Sequence, residues 1–469
     1  MCFSKPVRLR QQVQFLRRQF LQDGDLPFTD VLSIELVLQA LTSAEVVWKD
    51  RIYTPLVTLW VFLSQVLSQD HSCRAAVARF IAHRLSRGQS SCSAETGAYC
   101  QAKKRLPEKF FADVVRQTGQ TLDTSVASDW LWKARRVYLF DGSTVSMPDT
   151  EANQVAYPQH DKQNPGLGFP LARITAIFSL SCGAIMDLGI CRYAGKGQGE
   201  LSLFRTLWGF FRPGDVVLTD CLYCTWRDLL MLKQRGVDSV SQLQAMRRVD
   251  FRKGKRLGKE DHIVRWRRPA TRSLTGWAHR ELPEYLTVRE CRIHIEQAGF
   301  RSKAFVVVTT LTDAEKFTKE DLAYLYRARW NAELDLRSVK QTLQMDILRC
   351  KTPELVRKEI WTHILAYNLI RTIMAQAATR HEIQPRTISF KGALQFLEEF
   401  QRLIDYQECR GSAHRTKLYE KLLQSIASQR VADRPDRFEP RLLKRRPKHF
   451  AFLRKPRHVI KAEMMKGVR

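Results

Sequence analysis

Three acids in this chain stand where phosphodiester chemistry could use them. Asp141 and Asp220 each close a short apolar, β-prone run, "VYLFD" and "VVLTD". Runs of this kind read as strands, and an acid at a strand's end projects from the sheet edge, where open α/β sheets place their sites. Glu333 lies in "YRARWNAELDLRSVK", which reads as helix. At about 100° per residue, Tyr326, Arg329, Glu333 and Lys340 fall within an arc of roughly 60° on one face, and Arg337 joins the stripe. Three carboxylates suit hard divalent ions, Mg²⁺ or Mn²⁺, which keep waters and take up phosphate oxygens. Two such ions about 4 Å apart can activate a nucleophile and stabilise a leaving oxygen. The tyrosine hydroxyl and the cations of the stripe can hold phosphates on either side. Each signal also has a plainer reading. Asp141-Gly142 is a turn dipeptide that would end its strand. Arg329 and Arg337 each lie four residues from Glu333, the spacing of a salt-bridged, solvated helix face.

Elements able to position these residues follow from the pattern. Residues 1–128 read as helices with few strand signals. "RRVYLFDGSTVSM" predicts a strand ending at Asp141-Gly142, and "LARITAIFSLSCGAIMDLGICRY" two strands joined at Cys182-Gly183. "GDVVLTD" is a short buried strand, and "TWRDLLMLKQRGV" a helix closing at Gly236. From 237 to 315 the chain turns basic and β-leaning: between Phe251 and Arg272 nine Lys/Arg face two acids, with Trp266 inside and Trp277 beyond. Two strands around Ala298-Gly299 follow. One helix from Thr318, its N-cap, runs through "TKEDLAYLYRARWNAELDLRSVKQTL", and a second starts near Pro353. The last 29 residues carry 11 Lys/Arg and one Glu, a tail for phosphates or for solvent. Strands mixed with helices in this order predict an α/β core.

Composition narrows the class. The chain has 469 residues, 44% apolar, and 77 Lys+Arg against 48 Asp+Glu leave +29. With a mean hydropathy of −0.32 this is a soluble globular protein, and the excess charge favours a polyanionic partner, nucleic acid first. The most apolar run, from Tyr53, is interrupted by Pro55, Ser64 and Gln65 and is too short to span a bilayer. The N-terminus has no signal-peptide apolar core. Eleven scattered cysteines fit reduced thiols in a cytoplasmic protein. The pair Cys221 and Cys224 lacks the second pair of a structural zinc site. "GKGQGE" at Gly195 lacks the Lys-Ser/Thr ending of a phosphate loop for ATP.

The spacing Tyr-x2-Arg-x3-Glu-x6-Lys, met by Tyr326, Arg329, Glu333 and Lys340, resembles the signature of the insertion sequence 4 family of DDE transposases. "LFDGSTV" and "VVLTD" stand upstream in the matching order, and "SAETGAYCQAKKRLP" and "KRRPKHFAFLRKPR" extend the likeness over most of the chain. The resemblance implies an RNase H-like catalytic core (129–236 and 316–385) and a β-rich insertion at 237–315. A helical N-terminal DNA-binding domain (1–128) and a basic C-terminal region (386–469) for DNA or dimer contacts complete it. It implies Asp141, Asp220 and Glu333 as metal-binding catalytic acids using two Mg²⁺ or Mn²⁺ ions. Tyr326, Arg329 and Lys340, with Arg337 of the stripe, would bind DNA at the cleaved end. Relatives that form a DNA hairpin hold a flipped base with a tryptophan on the last insertion strand; here that strand, "KAFVVVTTL", offers Phe305, and Trp330 lies on the helix. The expected partners are double-stranded DNA, at element ends and target, and a second copy of the chain in the synaptic complex, at the bacterial nucleoid. The rival reading is a non-catalytic DNA-binding or bridging protein derived from a transposase.

Overall fold

The computed structural model of the protein describes residues 6–22, 26–49, 51–269, 282–294, 304–406, 411–431 and 451–466. Among the described residues six α-helices precede the first strand: α1 (Pro6–Gln19), α2 (Ile34–Ser43), α3 (Pro55–Leu67), α4 (Cys73–Ser86), α5 (Gly97–Arg105) and α6 (Glu108–Thr124). Ser33, Thr54 and Ser72 cap three of them, their side-chain oxygens accepting from the N–H of Leu36, Val57 and Ala75; helix starts leave those donors orphaned otherwise. The apolar run from Tyr53 is α3, mostly buried. Among the described residues no helix is long and apolar enough to cross a membrane.

The strands are β1 (Val137–Ser146), β2 (Leu171–Ser179), β3 (Ile185–Arg192), β4 (Val216–Thr219), β5 (Asp238–Gln242), β6 (Lys255–Gly258), β7 (Asp261–Arg267), β8 (Tyr285–His294) and β9 (Ala304–Thr309). Between them lie α7 (Glu151–Ala156) after β1, α8 (Glu200–Thr206) after β3, and α9 (Trp226–Gln234) after β4. All nine strands form one sheet in the order β3-β2-β1-β4-β5-β9-β8-β7-β6. β1, β2 and β3 pair antiparallel, whereas β4 runs parallel to both β1 and β5. Every residue of β4, "VVLT", is buried, as a parallel strand covered on both faces requires. The expected turn at Cys182-Gly183 joins β2 to β3, with Gly183 at φ 81°.

The basic strands extend the same sheet: β9 pairs antiparallel with β5, and β8, β7 and β6 follow outward. Lys255, Arg256, Lys259, Arg265 and Arg267 are exposed there. Underneath, Arg289 is buried with Asp261, which accepts from it at 2.8 and 2.6 Å. Trp266 is core, its indole N–H donating to Glu290 at 2.6 Å. Trp277 and the Ala298-Gly299 turn lie outside the described residues.

Two sequence expectations are corrected. The strand carrying Asp141 does not stop there: β1 runs to Ser146, with Asp141 opposite Ala176 and Ser146 opposite Leu171. Pairing with β2 gives the backbone hydrogen bonds that a turn at Gly142 would forfeit. The helix from Thr318 is also not continuous. It forms α10 (Lys319–Arg327), with Thr318 and Asp321 in a reciprocal capping box, then α11 (Trp330–Arg337) and a π-turn, Ser338–Thr342. At the break the N–H of Arg329 bonds Tyr326 O at 3.1 Å and that of Ala332 bonds Arg329 O at 3.0 Å, a tightening to i→i−3 spacing. In the π-turn Leu343 N–H reaches Ser338 O at 3.0 Å.

The hub is α12 (Pro353–Arg380), 28 residues with Pro at its start, about 42 Å long at 1.5 Å per residue. It is buried nearly throughout and packs against α3, α6 and β3. Asn368 locks it to the sheet: its side chain accepts from Ile185 N–H and donates to Ile185 O, both at 2.8 Å. On the helical side Glu108 accepts from Arg357 at 2.6 Å and from the Trp361 indole at 2.8 Å. Then come α13 (Phe390–Tyr406), α14 (Ser412–Ser428) and the exposed α15 (Arg457–Lys466).

Candidate active site

β1 and β4 set the two aspartates side by side. Their parallel register pairs Leu139 with Leu218, so Asp141, midway along β1, and Asp220, just past the end of β4, each stand two residues beyond that pair, at one level. β4 ends at Thr219, and its pairing with β1 runs no further than Leu218. Asp141 Oδ1 accepts the N–H of Gly142 at 2.8 Å, and Asp220 Oδ1 that of Leu222 at 2.8 Å, capping a short turn. Burial pushes the Asp141 carboxyl up to about 6, against the pull of the Gly142 N–H and of Arg329. Burial raises Asp220 as well, opposed by the Leu222 N–H and Arg329. Asp220 and Glu333 both add to the negative field at Asp141.

The third acid arrives on α11. Arg329 donates to Glu333 Oε1 at 2.9 Å, closing the four-residue pair that the sequence left open. Burial works against the charge on Arg329, but Tyr326, Glu333 and Asp141 outweigh it and raise its pKa. Its Nε is buried with no hydrogen-bond partner. Among the described residues no three Asp, Glu, His or Cys side chains are gathered tightly enough to hold a metal ion; Glu333 is engaged by the guanidinium instead.

The other stripe residues separate. Lys340, swung by the π-turn, donates to Ser143 Oγ at 2.9 Å, two residues past Asp141 on β1. Tyr326 is fully buried, its hydroxyl donating to Gln242 at 3.0 Å. Its ring meets Phe305 at 5.9 Å and Trp330 at 6.0 Å, and Arg329 lies over Trp330 at 4.8 Å. Arg337 is exposed and lines a different cavity of about 650 Å³ with Arg371, Arg386, Lys391 and Arg430. Breaking the helix is why a uniform 100° step did not keep these side chains on one face.

What fixes α11 is Asp335, two residues past Glu333 and fully buried. It accepts from Arg371 of α12 and from Arg386 at 2.6 Å. Beyond the π-turn, Leu348 N–H donates to Ser146 O at 2.9 Å and Ser146 N–H to Asp346 O at 3.1 Å, tying the Glu333 segment back to the Asp141 strand.

Glu200 escaped the sequence reading. At the start of α8 it accepts from Arg173 at 2.6 Å and from the Tyr223 hydroxyl at 3.3 Å. A side chain at Gly142 would meet its Cδ at 2.9 Å. Gly142 therefore serves close approach, not a turn. Glu200 thus braces the residue after Asp141 and the turn after Asp220. The signal available was an acid beginning an amphipathic stretch, shared by any helix N-terminus.

The chain is similar to known proteins. Residues 132–369 match the family described as transposase DDE domain. The transposase InsG for insertion sequence element IS4 of Escherichia coli K12 is 28% identical over 300 residues, which are 60% of this chain and 61% of InsG. The transposase for insertion sequence element IS421 of Escherichia coli is 36% identical over 80 residues, 17% of this chain and 22% of that one. Among solved structures, a piggyBac transposase synaptic complex with hairpin DNA aligns over 88% of this chain and 85% of that chain, with a TM-score of 0.42 and 7% identity.

Proposed function

The chain belongs to the insertion sequence 4 family of DDE transposases, and from that premise we propose that it cuts DNA at the ends of its own element and joins them to target DNA. The observation that carries the proposal is the placement of Asp141 and Asp220 at one level of adjacent parallel strands, with Glu333 and Arg329 brought over them by α11. An RNase H-like core is supported by the order β3-β2-β1-β4-β5, three strands antiparallel and two parallel. The helices before residue 128 and the strands of 237–315 then act as DNA-binding additions to it. The exposed lysines and arginines of β6 and β7 support that assignment. So does a cavity of about 560 Å³ among the first helices, whose lining includes Arg8, Arg18, Arg84 and Arg87 and, among the described residues, no acid.

The donor set is all carboxylate oxygen, the chemistry Mg²⁺ or Mn²⁺ prefers. A divalent pair bound there would activate the attacking oxygen and stabilise the leaving one. The chain's own residues do the rest. Burial raises the Asp141 and Asp220 carboxyls against the pull of Arg329, and a bound divalent pair would favour their ionised form. Glu333 would hold the same ions in place of Arg329, and the guanidinium, with its unpartnered Nε, would then face a phosphate of the DNA end. Lys340, beside Ser143, takes a neighbouring phosphate. Glu200 keeps the two aspartate segments at fixed spacing. In the first step water attacks phosphorus, the bond to the 3′ oxygen breaks, and a 3′-OH and a 5′-phosphate result. In the second that 3′-OH attacks a target phosphodiester, whose own 3′ oxygen leaves. Two copies of the chain, one per element end, complete the synaptic assembly.

The test is cleavage of a duplex carrying the element's ends, in Mg²⁺ or Mn²⁺, by wild type and Asp141→Asn. Loss of cutting with retained binding is expected. Cutting by the variant at the wild-type rate would refute the site. Binding without cutting by either protein would leave a DNA-bridging role.

A further inference from the structure

A second reactive centre lies among the first helices, away from the carboxylates. We infer that Cys73 and Cys100 are an oxidisable pair, in which Cys73 reacts with a hydroperoxide and Cys100 resolves the product to a reversible disulfide. The thiol of Cys100 donates to Cys73 Sγ at 3.9 Å, and Lys103 Nζ stands 3.4 Å from the same sulfur. Cys73 is the first residue of α4, directly after its Ser72 cap, so the helix's positive end faces it; a nearby ammonium and a helix N-terminus are the features that favour thiolate. The Cys100 thiol and Lys103 hold the Cys73 pKa well below the ordinary thiol value, against burial, while Cys100 stays protonated, raised by that same hydrogen bond. Both cysteines are partly exposed, so a small oxidant can reach them.

The chemistry balances with a hydroperoxide as oxidant. The Cys73 thiolate attacks one peroxide oxygen, an S–O bond forms, the O–O bond breaks, and the departing oxygen takes a proton as water or alcohol. The Cys100 sulfur then attacks the sulfenic sulfur; the S–S bond forms, the S–O bond breaks, and hydroxide leaves with the Cys100 proton as water. Two thiols lose two electrons and the peroxide gains them. The sulfurs must close from 3.9 Å to about 2.0 Å, between the first residue of α4 and the middle of α5. The product takes from Lys103 the thiolate that its Nζ meets at 3.4 Å. That lysine is buried in α5, over Phe62 at 4.6 Å and Tyr99 at 4.5 Å, and its carbonyl accepts from Lys358 of α12 at 3.2 Å. Oxidation is thereby felt where the first helices meet the hub.

The test uses the full-length protein treated with hydrogen peroxide, then alkylated and mapped by mass spectrometry without reduction. A Cys73–Cys100 cross-linked peptide that dithiothreitol removes is expected as the main product. In Cys100→Ser, Cys73 should accumulate as a sulfenic acid trapped by dimedone, with no cross-link. Without peroxide at mildly acidic pH, iodoacetamide should label Cys73 at least about tenfold faster than Cys191 or Cys221, whose thiols burial raises. Lys103→Arg should keep that advantage. Oxidation of Cys73 no faster than Cys191 and Cys221, or a cross-link to other cysteines, would overturn the inference. None of these readouts depends on DNA cleavage.

Discussion

Replacing Asp335 with alanine should unsettle the Glu333 helix more than any exposed substitution on it. The carboxylate is fully buried and accepts from two guanidinium groups, with Arg371 6% and Arg386 15% exposed in their side chains. After removal Arg386 keeps two carbonyl partners, Leu180 O at 2.9 Å and Ser179 O at 2.5 Å. Arg371 keeps the Tyr367 hydroxyl at 2.8 Å and the faces of Tyr367 and Phe390 but loses its buried anion. Breaking such a pair from one side costs about 3–5 kcal/mol, a large share of a typical stability of about 5–15 kcal/mol. Arg386→Met should cost less, about 2 kcal/mol, because the Arg371–Asp335 bond survives it. Urea unfolding followed by hydrogen exchange in α11 and α12 measures both. At temperatures where Asp335→Ala stays folded, cleavage should fall more than DNA affinity, because Glu333 sits on the loosened helix. An Asp335→Ala protein within about 1 kcal/mol of wild type would refute the reasoning.

Glu200→Gln should raise the Mg²⁺ concentration for half-maximal cleavage about tenfold, roughly 1.4 kcal/mol, and leave DNA affinity unchanged; an unaltered metal titration would remove Glu200 from the account. His363 is fully buried, and burial holds its pKa down to about 3. The unfolded chain, near 6.5, takes the proton first, so this histidine's contribution is intact above that pH and lost as pH falls. By pH 5 the loss is about 2 kcal/mol, and His363→Gln should flatten the decline between pH 7 and pH 5 by that amount in equilibrium denaturation. The double change Arg84→Ala and Arg87→Ala should weaken DNA binding and lower the slope of log affinity against log salt by about 2. An unchanged slope would place DNA elsewhere than that cavity.

The elements around the candidate site were legible where their signals are local. The apolar β-prone runs ahead of Asp141 and Asp220 announced β1 and β4, Thr318 announced its capping box, and Gly183 and Gly236 took the positive φ that turns need. What failed depends on partners far along the chain. Asp141-Gly142 looks like a turn until β2 is known to pair past it, and Gly142 is explained by Glu200, which no local pattern ties to it. The break at Arg329 belongs to Tyr326 and Trp330 packing on Phe305, a residue from another strand. Pairing of β5 with β9, which fuses the basic strands to the central sheet, joins segments separated by three other strands and is written in neither. Asp335, one more acid on a charged stretch, became the buried anchor only through Arg371 and Arg386.

The most direct measurement is cleavage and binding together, on one duplex carrying the element's ends, by wild type and Glu333→Ala across Mg²⁺ and Mn²⁺ concentrations. Metal-dependent cutting by wild type, abolished in the variant at closely similar DNA affinity, is the predicted result. Cutting by Glu333→Ala at the wild-type rate would contradict the assignment of the third carboxylate, and with it the reading of α11.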